Sequence, residues 1–102
     1  IFPILSPHRD TLQQHLLAEG VATMIHYPIP PHRQKCYPQF AHLQLPITDL
    51  IHQQELSLPC HQAMTDEEVE WVAKAVNDAL DSFLPSFYTL FSDFLITFAI
   101  KL

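Results

Sequence analysis

Apolar and polar positions change their spacing several times along the chain, and each spacing predicts a different element. Ile1, Phe2, Ile4 and Leu5 form a short apolar run interrupted by Pro3. Such a run suits an edge strand, where a missing N–H breaks no ladder bond. Ser6 followed by Pro7 predicts a cap and a first-turn proline, after which Leu12, Leu16 and Leu17 recur at helical spacing until Gly20. A glycine there supplies the left-handed stop, so the pattern predicts a helix over about 7–19. Residues 21–25 are β-branched at Val21, Thr23 and Ile25 and predict a second, well-buried strand.

From His26 to Pro46 the pattern is broken by Pro28, Pro30, Pro31, Pro38 and Pro46. Each fixes φ and discourages helix in the residue before it, so this stretch predicts an ordered loop with one helical turn near 34–40. A polar stretch over 48–55 then leads into Leu56, Ser57, Leu58 and Pro59, a short strand. Thr65 and Glu68 have capping-box spacing, and Val69, Val72, Ala73, Val76 and Leu80 follow at i, i+3, i+4, i+7 and i+11. This is the clearest helix in the sequence. Its opposite face carries Glu67, Glu70, Lys74, Asp78 and Asp81, with Trp71 among them.

After Ser82 the composition changes: five of the seven Phe lie at 83, 87, 91, 94 and 98, with Asp93 and Lys101 the only charges. The spacing is helical, but Pro85 and Asp93 interrupt it. It reads as an apolar tail of a cytoplasmic protein in preference to a membrane anchor, which wants about 20 predominantly apolar residues. The chain thus divides into one domain over 1–81 and a Phe-rich tail over 82–102.

Composition narrows the chemistry. With one Gly in 102 residues, glycine-rich phosphate cradles are excluded, because those turns need several residues without a Cβ. Five Lys and Arg against eleven Asp and Glu give no footprint for a nucleic-acid backbone. Cys36 and Cys60 form no CxxC pair and the chain starts without a basic-then-apolar leader, which points to reduced thiols in the cytoplasm. His26, His32, His61, Cys36 and Cys60 raise a zinc reading. Only His32 and Cys36 have ligand-pair spacing, and adjacent Cys60 and His61 point apart in an extended segment, so no metal is expected. Neither Cys, nor Ser57 in its apolar strand, sits in a nucleophile motif.

The segment His26-Tyr27-Pro28-Ile29-Pro30-Pro31-His32 stands out. Three prolines stiffen the backbone while two imidazoles and a phenol offer donors to a phosphate or sugar hydroxyl, at little ordering cost. It is a candidate binding loop.

These residues also carry a resemblance. Arg9-Asp10-x-Leu12, Leu16-x-x-x-Gly20-Val21, His26-Tyr27-Pro28-x-Pro30-x-His32-x-Gln34, Tyr37, Leu45-Pro46-x-Thr48-Asp49, Leu56-Ser57-Leu58-Pro59 and the run from Met64 to Val69 occur in an order that resembles the C-terminal part of the DegT/DnrJ/StrS sugar aminotransferases. The match covers about residues 1–80. The resemblance implies a mixed α/β (α+β) fold, a small antiparallel sheet packed with helices, as in the small domain of fold-type I pyridoxal-phosphate enzymes. It implies that the intact enzyme is a homodimer that aminates a keto sugar on a nucleotide carrier, using pyridoxal phosphate and an amino-acid donor. It implicates His26, and after it Tyr27 and His32, in substrate contact or site geometry and gives this chain no catalytic or cofactor-binding residue. The family's cofactor-bearing lysine belongs to a large domain that has no counterpart here, and Lys35, Lys74 and Lys101 match no such motif. On this reading the 102 residues alone are inactive.

Two departures from the family pattern are Gln62, where proline is usual, and Asp49, where glutamate is. The Phe-rich tail lies outside the pattern altogether, which is consistent with a truncated, frameshifted or fused product. An alternative from another class is an interaction module that docks on a partner subunit or a membrane through Trp71 and the tail.

Overall fold

A computed structural model describes residues 1–81; the tail, with its expected helix and its docking role, lies outside them. Strand β1 (Phe2–Leu5) pairs antiparallel with β2 (Glu55–Leu58), and helices α1 (Arg9–Ala18), α2 (Pro46–Gln54) and α3 (Asp66–Asp81) complete the elements, with 3-10 turns at Pro31–Arg33 and Pro38–Phe40. This is the expected mixed α/β architecture.

The register explains Pro3. It faces Ser57, whose N–H and C=O both turn the other way, to Met24 O at 2.7 Å and from Met24 N at 3.1 Å. Pro3 therefore sits at a position of the ladder that asks it for no N–H. The same bonds correct the expectation of a strand over 21–25. Val21 is buried, but Met24 is exposed and makes only an isolated bridge to Ser57, so β2 is central between β1 and a single-residue contact.

Two helix ends follow the local rules. Gly20 adopts φ 79, its N–H donates to Leu17 O at 3.0 Å, and Val21 N–H donates to Leu16 O at 2.8 Å. That pair of bonds is a Schellman stop, and Leu16 and Val21 pack in the same core beneath it. At α3 the capping box forms as read: Glu68 N–H donates to Thr65 Oγ1 and Thr65 N–H to Glu68 Oε2, at 3.2 and 2.9 Å. The other end of α1 differs from expectation. The helix starts at Arg9 behind His8, and Ser6 Oγ instead accepts the His8 N–H at 3.1 Å in a turn ahead of the helix.

Helix α2 replaces the polar stretch expected over 48–55. Pro46 opens it, as proline favours a first helical position, and its apolar residues Ile47, Leu50 and Ile51 remain exposed. The core lies elsewhere, where α1 and α3 pack together over β2: Leu12, Leu16, Leu56 and Val76 are fully buried there, with Leu58, Val72, Ala75 and Ala79 around them.

Candidate functional site

Strand β2 alternates Glu-Leu-Ser-Leu, and a strand sends successive side chains to opposite faces. Leu56 and Leu58 enter the core; Glu55 and Ser57 face away from it, yet each is only 5% exposed. His26 covers them. Its backbone N–H donates to Glu55 Oε2 at 2.6 Å, its ring Nδ1 lies 2.8 Å from Ser57 Oγ, and the Ser57 hydroxyl donates to Glu55 Oε1. One carboxylate therefore holds the main chain of His26 directly and its ring through a serine. No Lys or Arg pairs with that carboxylate among the described residues. A buried acid without a cation is costly unless its oxygens are hydrogen-bonded, and here both are.

The Met24–Ser57 bridge is antiparallel and brings His26, two residues past Met24, level with Glu55, so its ring falls back over the strand. Tyr27 follows across a cis peptide bond, with its ring exposed and edge-on to that of His26, centroids 5.3 Å apart. Polar ties hold the rest of the loop to α2. His52 Nδ1 donates to Tyr27 O at 2.5 Å. Arg33 grips Asp49 with both arms, Nε to Oδ1 at 2.8 Å and Nη2 to Oδ2 at 2.7 Å. These hydrogen bonds, opposed by partial burial and aided by the charges of Arg33, His32 and His52, hold the Asp49 carboxyl below its ordinary range.

The three residues singled out from sequence are thus placed differently. His26 is half-buried and doubly held, Tyr27 is exposed, and His32 is buried with Nε2 3.3 Å from Asp49 Oδ1 without hydrogen-bond alignment. His26 and Tyr27 come together; His32 serves the anchor between the loop and α2. Sequence reasoning weighed Ser57 only as a nucleophile and left Glu55 in a polar stretch, so it missed their role beneath His26. The signal was available in the strand alternation, which puts two polar side chains on one face beside two leucines.

Trp71, read as a surface aromatic awaiting a contact, has one within the chain. Its indole N–H donates to Glu19 O at 2.9 Å, satisfying a carbonyl at the end of α1, while the ring stays half exposed. Cys36 and Cys60 are free and exposed, and no group of three His, Cys, Asp or Glu able to hold a metal occurs among the described residues. Nor is any helix among them long and apolar enough to cross a membrane.

Pyridoxal phosphate does not fit the described residues. It needs an enclosed lysine and a cradle for its phosphate; Lys35 and Lys74 are both exposed, one in the loop and one on the outer face of α3, and the sole glycine closes α1.

The model of the DegT/DnrJ/EryC1/StrS aminotransferase family matches residues 1–77. The chain is 42% identical over 77 residues to a dTDP-3-amino-3,6-dideoxy-alpha-D-galactopyranose transaminase of Aneurinibacillus thermoaerophilus, covering 76% of this chain and 21% of that protein. It is 33% identical over 79 residues to a UDP-N-acetyl-3-dehydro-alpha-D-glucosamine 3-aminotransferase of Acidithiobacillus ferrooxidans, covering 78% and 21%. Over 61 residues it is 38% identical to a dTDP-3-amino-3,4,6-trideoxy-alpha-D-glucose transaminase of Streptomyces venezuelae, covering 58% and 16%. The chain spans about a fifth of the length of the relatives it matches over most of itself.

Proposed function

The chain belongs to the DegT/DnrJ/EryC1/StrS aminotransferase family, and on that premise we propose that it forms the substrate side of an enzyme that aminates a keto sugar carried on a nucleotide. An amino acid is the donor, and pyridoxal phosphate, which supplies the amino-transfer chemistry when bound, is held by parts of the enzyme beyond these residues. The observation that carries the reading is the double hold on His26. A ring kept in one orientation recognises a ligand group without first losing its own freedom.

The chain's own contribution is binding and orientation. Tyr27 offers a phenol beside the His26 ring, and the anchored loop behind them keeps the pair in place. His32 contributes by fixing loop geometry against Asp49. Neither Lys35 nor Lys74 is enclosed among the described residues, which supports the reading that the chain alone is inactive.

Titrating the isotopically labelled 102-residue chain with a dTDP- or UDP-linked sugar tests this. Signal changes centred on His26 and Tyr27, lost in His26→Ala, are expected; changes centred elsewhere, or none at millimolar sugar nucleotide, overturn it. Pyridoxal phosphate added to the same sample should keep the absorbance of the free cofactor.

A further inference from the structure

The hydrogen-bond chain under His26 has a direction, and direction decides which ring nitrogen carries the proton. Glu55 as a carboxylate only accepts. Its Oε2 takes the His26 N–H and its Oε1 takes the one proton of the Ser57 hydroxyl. Ser57 Oγ has then no proton left for the ring, so the 2.8 Å contact is a bond donated by Nδ1–H. In the neutral ring the remaining nitrogen, Nε2, carries a lone pair.

We propose that Glu55 and Ser57 are positioning residues that fix His26 in its Nδ1–H tautomer, so that Nε2 meets the ligand as a hydrogen-bond acceptor. The matching chemistry is a donor, a sugar hydroxyl or amine proton, and not an unprotonated phosphate oxygen. This ligand class rests on the substrate-side reading above; the tautomer does not. The arrangement also explains why β2 buries a carboxylate without a cation. The acid supplies two acceptors at fixed positions, one for the main chain and one for the serine, which a hydrophobic residue of the same size would lack.

The test reads the tautomer directly, by long-range proton–nitrogen correlation on the 102-residue chain labelled at histidine. It is run near pH 8, above the ordinary imidazole pKa of about 6.5. Expected for His26 are a protonated Nδ1 and a pyridine-like Nε2. Ser57→Ala removes the acceptor and should leave mixed tautomers, and Ser57→Thr should restore the original one. Glu55→Gln gives the sharper outcome. Its carbonyl must stay on the His26 N–H, which turns its NH2 toward Ser57; the serine proton then points at Nδ1, and the ring switches to the Nε2–H form. A wild-type ring protonated at Nε2, or a Nδ1–H tautomer unchanged in both Ser57→Ala and Glu55→Gln, overturns the proposal. If Glu55→Gln fails to fold, as judged by signal dispersion, the two Ser57 variants decide alone. A correct tautomer with no response to sugar nucleotide defeats only the proposed function, whereas a response from the opposite tautomer defeats only this inference.

Discussion

Helices α1 and α2 have nearly the same length and are held by different physics. α1 buries Leu12 and Leu16 completely, and its end is closed by backbone bonds over the same core. α2 buries none of its side chains and exposes Ile47, Leu50 and Ile51. Polar ties connect it to its surroundings: Arg33 and His32 on Asp49, His52 on Tyr27 O, and Arg9 Nη1 on His52 O at 2.9 Å. Apolar burial is non-directional and scales with area, whereas charge-assisted hydrogen bonds fix geometry at modest net stability. The fold is thus stabilised in one half, and the candidate binding loop is oriented in the other.

The largest effect expected in either half comes from Leu16→Ala. A fully buried leucine truncated to alanine costs about 2 to 5 kcal/mol through lost transfer and the cavity left behind. Denaturant unfolding should show that loss for the whole described domain, with the loop and α2 melting alongside the core. A loop that kept its tertiary signals after the core had melted would show that the polar ties are a separate folding unit.

Gly20→Ala is a smaller and cleaner probe of the core half. A Cβ built on Gly20 meets nothing within 4 Å, so no clash contributes. The cost is that of the left-handed φ alone, about 1 to 2 kcal/mol for a residue with a side chain. Thermal unfolding should register it without altering the His26 signals. A larger loss would mean that the Schellman stop itself, and with it the entry toward Met24 and His26, has come apart.

What the sequence made legible divides along the same line. Periodicity located α1 and α3, because a buried stripe leaves its spacing in the residues that fill it, and short apolar runs located both paired strands. The stop at Gly20 and the Thr65–Glu68 box were readable for the same reason, each being satisfied by neighbours in sequence. α2 was not found, since Ile47, Leu50 and Ile51 make a short apolar face with no core behind it, and Thr48, Asp49 and the glutamines look like loop. The strand over 21–25 was over-read: β-branching describes what fits a pleated surface, but pairing partners are decided by tertiary structure. The loop from His26 to His32 stood out by composition, yet the groups beneath it lie 29 and 31 positions along the chain, and nothing local to His26 announces Glu55 or Ser57.

The smallest effect on global stability, and the one that sharpens the comparison most, belongs to Asp49. Hydrogen bonds from Arg33 first, then the charges of Arg33, His32 and His52, outweigh partial burial and lower its pKa. A carboxylate whose folded pKa is depressed adds stability that is fully present above its unfolded value, near 4, and is lost as pH falls through the lower folded value. The tie between loop and α2 should therefore persist at neutral pH and release in acid below about pH 4. Asp49→Asn keeps the size, removes the charge and should abolish that acid step. Amide exchange across 27–34 and 46–54 should speed up in the variant at pH 6, while α1 and α3 exchange as before, because Asp49, Arg33 and His32 lie outside the core that those helices share. If α1 and α3 lost protection to the same degree, the polar ties would be carrying the fold, and the division between a stabilised half and an oriented half would fail.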